Sequence, residues 1–588
     1  MDLEEEEKAL GRWPRRLLHI PTLTSYEWKP GNCYNGIKEP QYNAITYTWG
    51  RFRLKSGHKP NVTSVPIQID GDGEQWSIPR IDPSHFTAEE FETTIRAPSL
   101  LYTNTSDTEP VDFLWLDIAC IDQRETDPKS AAEIGRQAVI FHGARRVFVW
   151  LTTLHYTILE DIMTGIERGC IKNQTQHSTC HSNALDCIRI LLSDPWFSSL
   201  WTLQEAFLKP EACLLSKDAA LIRRSKILDP ERPEIHKLPP YYRLTDVIYF
   251  LESWAKTNEN VTVGKLQDIY KNIEVIISER GIRALHYGNE LGMYEAALHR
   301  QASVPQDRVY GIQQIFGFRL GKSAIPAAPG ENFSLRDLEN QLGESLMLSR
   351  PVLSQLHVFT QVVPENSRWR FHSCSRVITN VFLRVIDTRD YDRYRTSQCS
   401  FWVDHSEPFL KPVCWAGIIT DFSRLIKEWK CATEILYPAP QSGSLLGTLF
   451  PSFLAPKLFI RLDATNEVLN APGVEHPPQS QEAAEWLVRQ HPDHTIKVLL
   501  MGRWGPSLSL GLSGPVPFED GTFGLILLSR GSGRWARLGV CQWDTADHQW
   551  ETGSPQCMPK ESSVESRDFL EGRSQEWAYE KGIFGFLD

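Results

Sequence analysis

The sequence predicts an α/β domain built on a parallel sheet, followed by a mainly helical region and a β-rich C-terminal region. Three observations carry this. The runs "YNAITYTWG" (42–50), "VDFLWLDIACIDQ" (111–123) and "RRVFVWL" (145–151) are almost continuously apolar, as expected of strands covered on both faces. A helix-period segment separates the second run from the third, the rhythm of a βαβ unit. From 351 onward, strand-like runs and turns dominate, among them "FWVDH", "VCWAGIIT", "TFGLILLSR" and "RWARLGVCQW". The division that follows is an N-terminal extension at 1–40, an α/β domain at 41–212, a helical region at 213–350 and a β-rich domain at 351–588.

Each element has a local reason. The first strand ends in Gly50, a sharp exit. The polar stretch 51–110 reads as a long insertion with a short strand at Val65–Ile69 and a helix near Ala88–Ile95. In "TDPKSAAEIGRQAVIFHGA", Asp127 suits a helix cap and Pro128 a first helical position. Ile134, Ala138 and Phe141 then recur at helical spacing up to Gly143. A helix is predicted at about 183–193. Asp194 and Pro195 open the next one, "DPWFSSLWTLQEAFL", where Trp196 and Phe197 read as core anchors. No repeat of fixed period is present.

At 588 residues the chain exceeds what one hydrophobic core serves, and 41% hydrophobic with 23% charged residues is an ordinary globular composition. The 19 tryptophans supply large buried area. A net charge of −11 gives no reason to expect nucleic-acid binding. The start "MDLEEEEKAL" is the opposite of a basic, apolar signal peptide, and no apolar run approaches the about 18 residues of a membrane span. A cytoplasmic location with reduced thiols is the expectation. Cys170, Cys180 and Cys187 lie near His177 and His181, but their spacing is irregular and no metal site is assigned. There is no P-loop, hydrolase elbow or HExxH motif.

Four of these blocks, taken in order, resemble the fungal heterokaryon-incompatibility (HET) family. "YNAITYTWG" is similar to its opening Tyr-x-Ala-x-Ser/Thr-Tyr-x-Trp-Gly. "FLWLDIACIDQ" with "ARRVFVWL" is similar to its second block, and "DPWFSSLWTLQEA" to its Trp-Phe-x-Arg-x-Trp-Thr-x-Gln-Glu block. "VPQDRVYGI" looks like a segment often found downstream. Ser199 and Gln306 depart from the pattern by standing where members often carry Arg. The resemblance implies a protein of self/non-self recognition and programmed cell death, working through a protein partner or self-association. HET domains are in turn similar to TIR domains, of flavodoxin-like α/β fold. Some TIR domains hydrolyse NAD with a glutamate after a Ser-x-Trp-Cys-x-x-Glu motif, and Ser199, Trp201 and Glu205 fall in that pattern. NAD would then be a substrate, and no cofactor is expected.

The residues themselves allow this chemistry without requiring it. Trp201 and Glu205 are four apart, so they share a helix face. A carboxylate beside an indole suits a nucleoside site that stabilises an oxocarbenium-like centre; a packed, salt-bridging Glu205 is the other reading. Asp117 and Asp122 lie at or beyond the end of the second strand, where α/β sheets bind ligands. Asp122 and Gln123 either line a pocket there or cap a loop. Trp49 either stacks on a base or belongs to the core, and Gly50 either admits a ligand or makes a turn. Asp307 and Arg308 suggest an ion pair that docks the helical region. Three functions follow: a death effector, an NAD glycohydrolase with Glu205 as catalytic residue and Trp49, Gly50, Asp122, Gln123 and Trp201 around the substrate, or a non-catalytic regulatory protein that keeps the fold.

Overall fold

The computed structural model describes residues 3–48, 54, 62–71, 76, 78, 80–100, 110–122, 128–171, 178–224, 240–257, 265–287, 290–324, 332–377, 396–397, 399–406, 411–436, 458–464, 481–492, 495–504, 521–544, 569 and 574–586. They fall into two units, 1–338 and 339–588.

The first unit is built on a seven-stranded mixed sheet. Its strands are β1 (Arg16–His19), β2 (Thr24–Glu27), β5 (Tyr42–Thr46), β6 (Gln68–Ile69), β7 (Phe113–Trp115), β8 (Val147–Trp150) and β9 (Cys213–Leu215); β3 (Cys33–Tyr34) and β4 (Ile37–Lys38) form a separate hairpin. The order is β6-β2-β1-β7-β5-β8-β9, with β7, β5, β8 and β9 mutually parallel. Thus β5, the first of these four in the chain, is central: β7 pairs on one side at Ala44↔Trp115 and β8 on the other at Ala44↔Val147. Every residue of β5, β7, β8 and β9 is buried, which is why these runs lack polar alternation. Residues 16–27, inside the stretch read as an extension, supply two strands, with β1 antiparallel to both β2 and β7.

Helices cover both faces. On one side, Phe91 of α2 (Ala88–Leu100) stacks on Trp150, with ring centroids 5.8 Å apart, and meets Tyr47 at 5.5 Å. Two departures from the predicted pattern have identifiable causes. The run at 111–123 is not one strand: it stops at Trp115, and α3 (Asp117–Cys120) begins as the Asp117 carboxylate accepts from the Ile118 amide at 2.7 Å. The single helix expected after Pro128 is two, α4 (Pro128–Ile134) and α5 (Gln137–Gly143). At the break, a Cβ on Gly135 would stand 2.8 Å from Arg319 Nε, and the Arg136 guanidinium turns back to the Gly11 and Trp13 carbonyls at 2.8 Å each. Asp127 lies outside the described residues. Further on come α6 (Tyr156–Ile171), α7 (Ser178–Ser193), α8 (Leu200–Leu208), α9 (Leu244–Thr257), α10 (Lys265–Glu279), α11 (Ile282–Tyr287), α12 (Glu290–Leu298), α13 (Asp307–Tyr310) and α14 (Leu335–Ser349), so the region after 213 is helical.

The second unit is β-rich and antiparallel. Its main strands are β10 (Pro412–Asp421), β11 (Leu458–Leu462), β12 (Ile496–Trp504), β13 (Gly521–Ser529), β14 (Trp535–Asp544) and β15 (Ala578–Phe586). Phe422, Leu425, Val498, Ile526 and Trp543 form its core. A fully buried ion pair crosses it: Arg537 Nε donates to Asp463 at 2.9 Å, and Arg537 Nη1 donates to Gln355 at 3.0 Å. Asp463 also accepts from the Phe359 amide at 3.0 Å. Removing one partner strands a buried charge. Asp463→Ala is therefore expected to lower the stability of this unit by about 3–5 kcal/mol in denaturant unfolding; a loss below about 1 kcal/mol would show that Arg537 finds water instead.

Candidate functional site

The four parallel strands follow the order second-first-third-fourth along the chain, as in flavodoxin-like sheets. The order reverses between β5 and β8, and in open α/β sheets the crevice outside the carboxyl ends at that point binds ligands. Thr46, Tyr47 and Thr48 leave β5 there; Leu151, Thr152 and Thr153 leave β8.

The chain returns to this edge through Asp194. Its carboxylate accepts from the Trp196 amide at 2.9 Å, capping the 3-10 turn Pro195–Ser198, and from the Thr153 amide and hydroxyl at 3.0 and 2.6 Å. One carboxylate thus starts the turn and fastens it to the end of β8. Trp196 and Phe197 are buried and meet edge to face at 5.0 Å. From this anchored turn, α8 runs as Leu-Trp-Thr-Leu-Gln-Glu-Ala-Phe-Leu, in which the leucines, Gln204, Glu205 and Ala206 are good helix formers.

Successive side chains of α8 are shared among three neighbours. Glu205 points to the sheet, where the Thr46 hydroxyl donates to its carboxylate. The Trp196 indole N–H donates to the same hydroxyl at 2.9 Å. An indole nitrogen can only donate, so the Thr46 proton is directed at Glu205. Gln204 is fully buried: its amide donates to Gln137 on α5 at 2.8 Å, and its carbonyl accepts from the Gln314 amide at 3.1 Å. The Trp201 indole lies close enough to Asp307 to favour its carboxylate, against the burial that raises it. Arg300, also buried, reaches the Ser199 carbonyl at 2.9 Å, the Thr202 hydroxyl at 3.2 Å and the Arg280 carbonyl at 2.7 Å. Gly311 packs against this helix; a Cβ there would stand 3.0 Å from Leu200.

Electrostatics set Glu205 apart. Burial, and to a smaller extent the nearby Asp117 charge, push its carboxyl up to about 8 against the Thr46 hydrogen bond. Tyr47, one residue on, is raised well above its ordinary value by burial and by Asp117. Its hydroxyl faces Asp117 without a well-directed hydrogen bond. Near neutral pH, Glu205 is therefore mostly a protonated acid, able to give a proton or to become a charge when a cation arrives.

The sequence-predicted residues are placed as follows. Asp117 lies within electrostatic reach of Glu205. Trp201 shares the helix with Glu205, but its indole lies close to Asp307. Arg308 donates to the Ala297 carbonyl at 3.0 Å, so the docking expected of an Asp307–Arg308 pair runs through Trp201 and Asp307. Asp122 lies just beyond α3, within electrostatic reach of Arg16, and its carbonyl accepts from Ser130 at 2.7 Å. Trp49, Gly50 and Gln123 lie outside the described residues. Thr46 was not foreseen; a threonine in a wholly buried strand needs a partner, and that was the available signal. Among the described residues, no group of three His, Cys, Asp or Glu side chains is placed to hold a metal ion.

Fold and site together define an α/β domain with a buried acid at the carboxyl edge of its parallel strands. The family model described as heterokaryon incompatibility protein (HET) matches residues 42–205, so this stretch is a HET domain. Searches of curated proteins and of solved structures returned no match.

The raised carboxyl has a consequence for stability. Between the ordinary value of 4.5 and about 8, the folded chain holds a proton that the unfolded chain has lost. This contribution is fully present below 4.5 and disappears as pH rises through about 8. The parent chain should lose more stability from about pH 5 to about pH 8 than Glu205→Gln, as followed by denaturant unfolding; equal slopes would place Glu205 in the ordinary carboxylate range.

Proposed function

We propose that this chain acts in self/non-self recognition and programmed cell death, with the carboxyl edge of its HET domain hydrolysing NAD. The observation that carries the reading is Glu205: an acid of raised affinity for its proton, at the strand-order reversal, inside the segment matched by the family model. A cytoplasmic location and triggering by a protein partner or by self-association belong to the same proposal. Among the described residues no helix is long and apolar enough to cross a membrane.

The chemistry asks little of the protein. The pyridinium charge of NAD offsets the burial penalty on Glu205 and favours its ionised form, the carboxyl proton passing to solvent as NAD binds. The bond between the ribose C1′ and the nicotinamide nitrogen breaks, and its electron pair stays on nitrogen, so nicotinamide leaves neutral and needs no acid. The Glu205 carboxylate stabilises the oxocarbenium-like C1′. Water adds to C1′ and gives one proton to Glu205, which returns to its resting state, and ADP-ribose departs. Thr46, held by Trp196, keeps the carboxylate in place.

A second reading, a non-catalytic interaction or regulatory protein that retains the fold, draws on the same side chain. Glu205 is buried and already hydrogen-bonded to the sheet, which suits a packed structural acid. Inducible expression of the full chain in a fungal host, beside Glu205→Gln, separates the two. The proposal expects cell death with NAD loss for the parent and NAD consumption at least about a hundredfold slower for the variant. Equal death with both removes the catalytic role and leaves the signalling role. No death and no NAD loss favours the second reading.

A further inference from the structure

The strand-order reversal carries more than the acid. Thr48 and Thr152 are buried, yet neither hydroxyl has a hydrogen-bond partner among the described residues. They follow the two strands that flank the reversal. The β5–β8 ladder pairs Ile45 with Phe148 and Thr46 with Val149. Thr48 and Thr152 each lie two residues beyond the end of their strand. Tyr47 and Trp150 keep the ladder's register, their rings 5.8 Å apart. Two buried hydroxyls without partners at the ends of adjacent strands are uncommon in a folded core, because each forfeits hydrogen bonds it made to water. A ligand that brings hydroxyls of its own restores them.

The charges at this edge narrow the ligand. Among the described residues, the groups whose charge reaches Glu205 and Tyr47 are Asp117, Cys120 and Glu205 itself, all acidic when ionised. Such a setting repels phosphate and favours a cation. We infer that the β5–β8 edge binds the ribosyl hydroxyls of a cationic N-ribosyl ligand, with Thr48 and Thr152 as the specificity residues, and that recognition does not require the phosphates of a dinucleotide. This rests on reading the edge as the ligand site, and it deepens that reading: nicotinamide riboside, a ribosylated pyridinium without phosphate, carries the recognised part.

The test uses the full chain and calorimetric titration with nicotinamide riboside and with ADP-ribose, which has the phosphates and lacks the pyridinium. The parent is expected to bind nicotinamide riboside at least about tenfold more tightly than ADP-ribose. Thr48→Val and Thr152→Val, which keep side-chain volume, are each expected to weaken nicotinamide riboside binding by about tenfold, and Thr48→Ser to restore it. Thermal unfolding of the ligand-free valine variants should be unchanged or shifted upward, since an unpartnered hydroxyl has been removed; weaker binding with a lowered midpoint would assign the hydroxyls to folding and overturn the inference. Tighter binding of ADP-ribose, absent binding of nicotinamide riboside, or valine variants that bind like the parent would each overturn it as well. The hydrolysis reading fails separately: nicotinamide riboside that binds through Thr48 and Thr152 while NAD stays intact supports the inference and removes the reaction. Glu205-dependent NAD loss with valine variants unchanged does the reverse.

Discussion

The hydrogen-bonded chain from Trp196 through Thr46 to Glu205 is the constraint on which the HET domain turns. It joins the central strand β5 to the helix that arrives more than 150 residues later, so two motifs distant in sequence meet at one edge. Thr46 can serve both partners because a hydroxyl accepts and donates at once. Asp194 secures the other end of the same arrangement, fixing the turn before α8 to the end of β8. With both ends held, the Glu205 carboxyl has little room to turn to water, and its proton affinity rises. The raised value follows from the fold, since burial is its largest cause.

The matched segment stops at residue 205, within α8, but the helix does not end its contacts there. Trp201, Gln204 and the carbonyls before the helix all meet residues 300–314, and Gly311 is bare because Leu200 fills the space of a side chain. A buried Gln204 without Gln137 and Gln314 would leave amide groups stranded, a cost of about 1–3 kcal/mol each. The "VPQDRVYGI" segment is therefore part of what holds Glu205 in position, which gives a physical reason for its place downstream of the HET blocks.

Much of this fold was legible in the sequence because burial writes itself into composition. The strands around Ala44, Leu114 and Val149 announce themselves by apolar runs with no polar alternation, and Asp194-Pro195 announces its turn by a cap. Apart from the early stop at Trp115, which Asp117 sets locally, the misses involve a partner far away in the chain. Gly135 breaks a helix because Arg319 occupies its neighbourhood, and nothing near Gly135 says so. Leu18 and His19 pair with β7 through backbone groups, which leave no signature in side-chain pattern. At the site, Glu205 stood out through its motif, while Thr46 looked like an ordinary β-forming residue. The indole of Trp201, expected beside Glu205 from their spacing, instead lies close to Asp307, because four residues along a helix fix a face but not a rotamer.

The account turns on Glu205 being a neutral acid at the carboxyl edge near neutral pH. Infrared difference spectroscopy reads that directly, comparing the protonated-carboxyl stretch of the parent with that of Glu205→Gln across a pH titration. The account predicts a band unique to the parent that fades with a midpoint of about 8. A band already lost by about pH 6 would contradict it, since Glu205 would then be an ordinary carboxylate tied to a threonine.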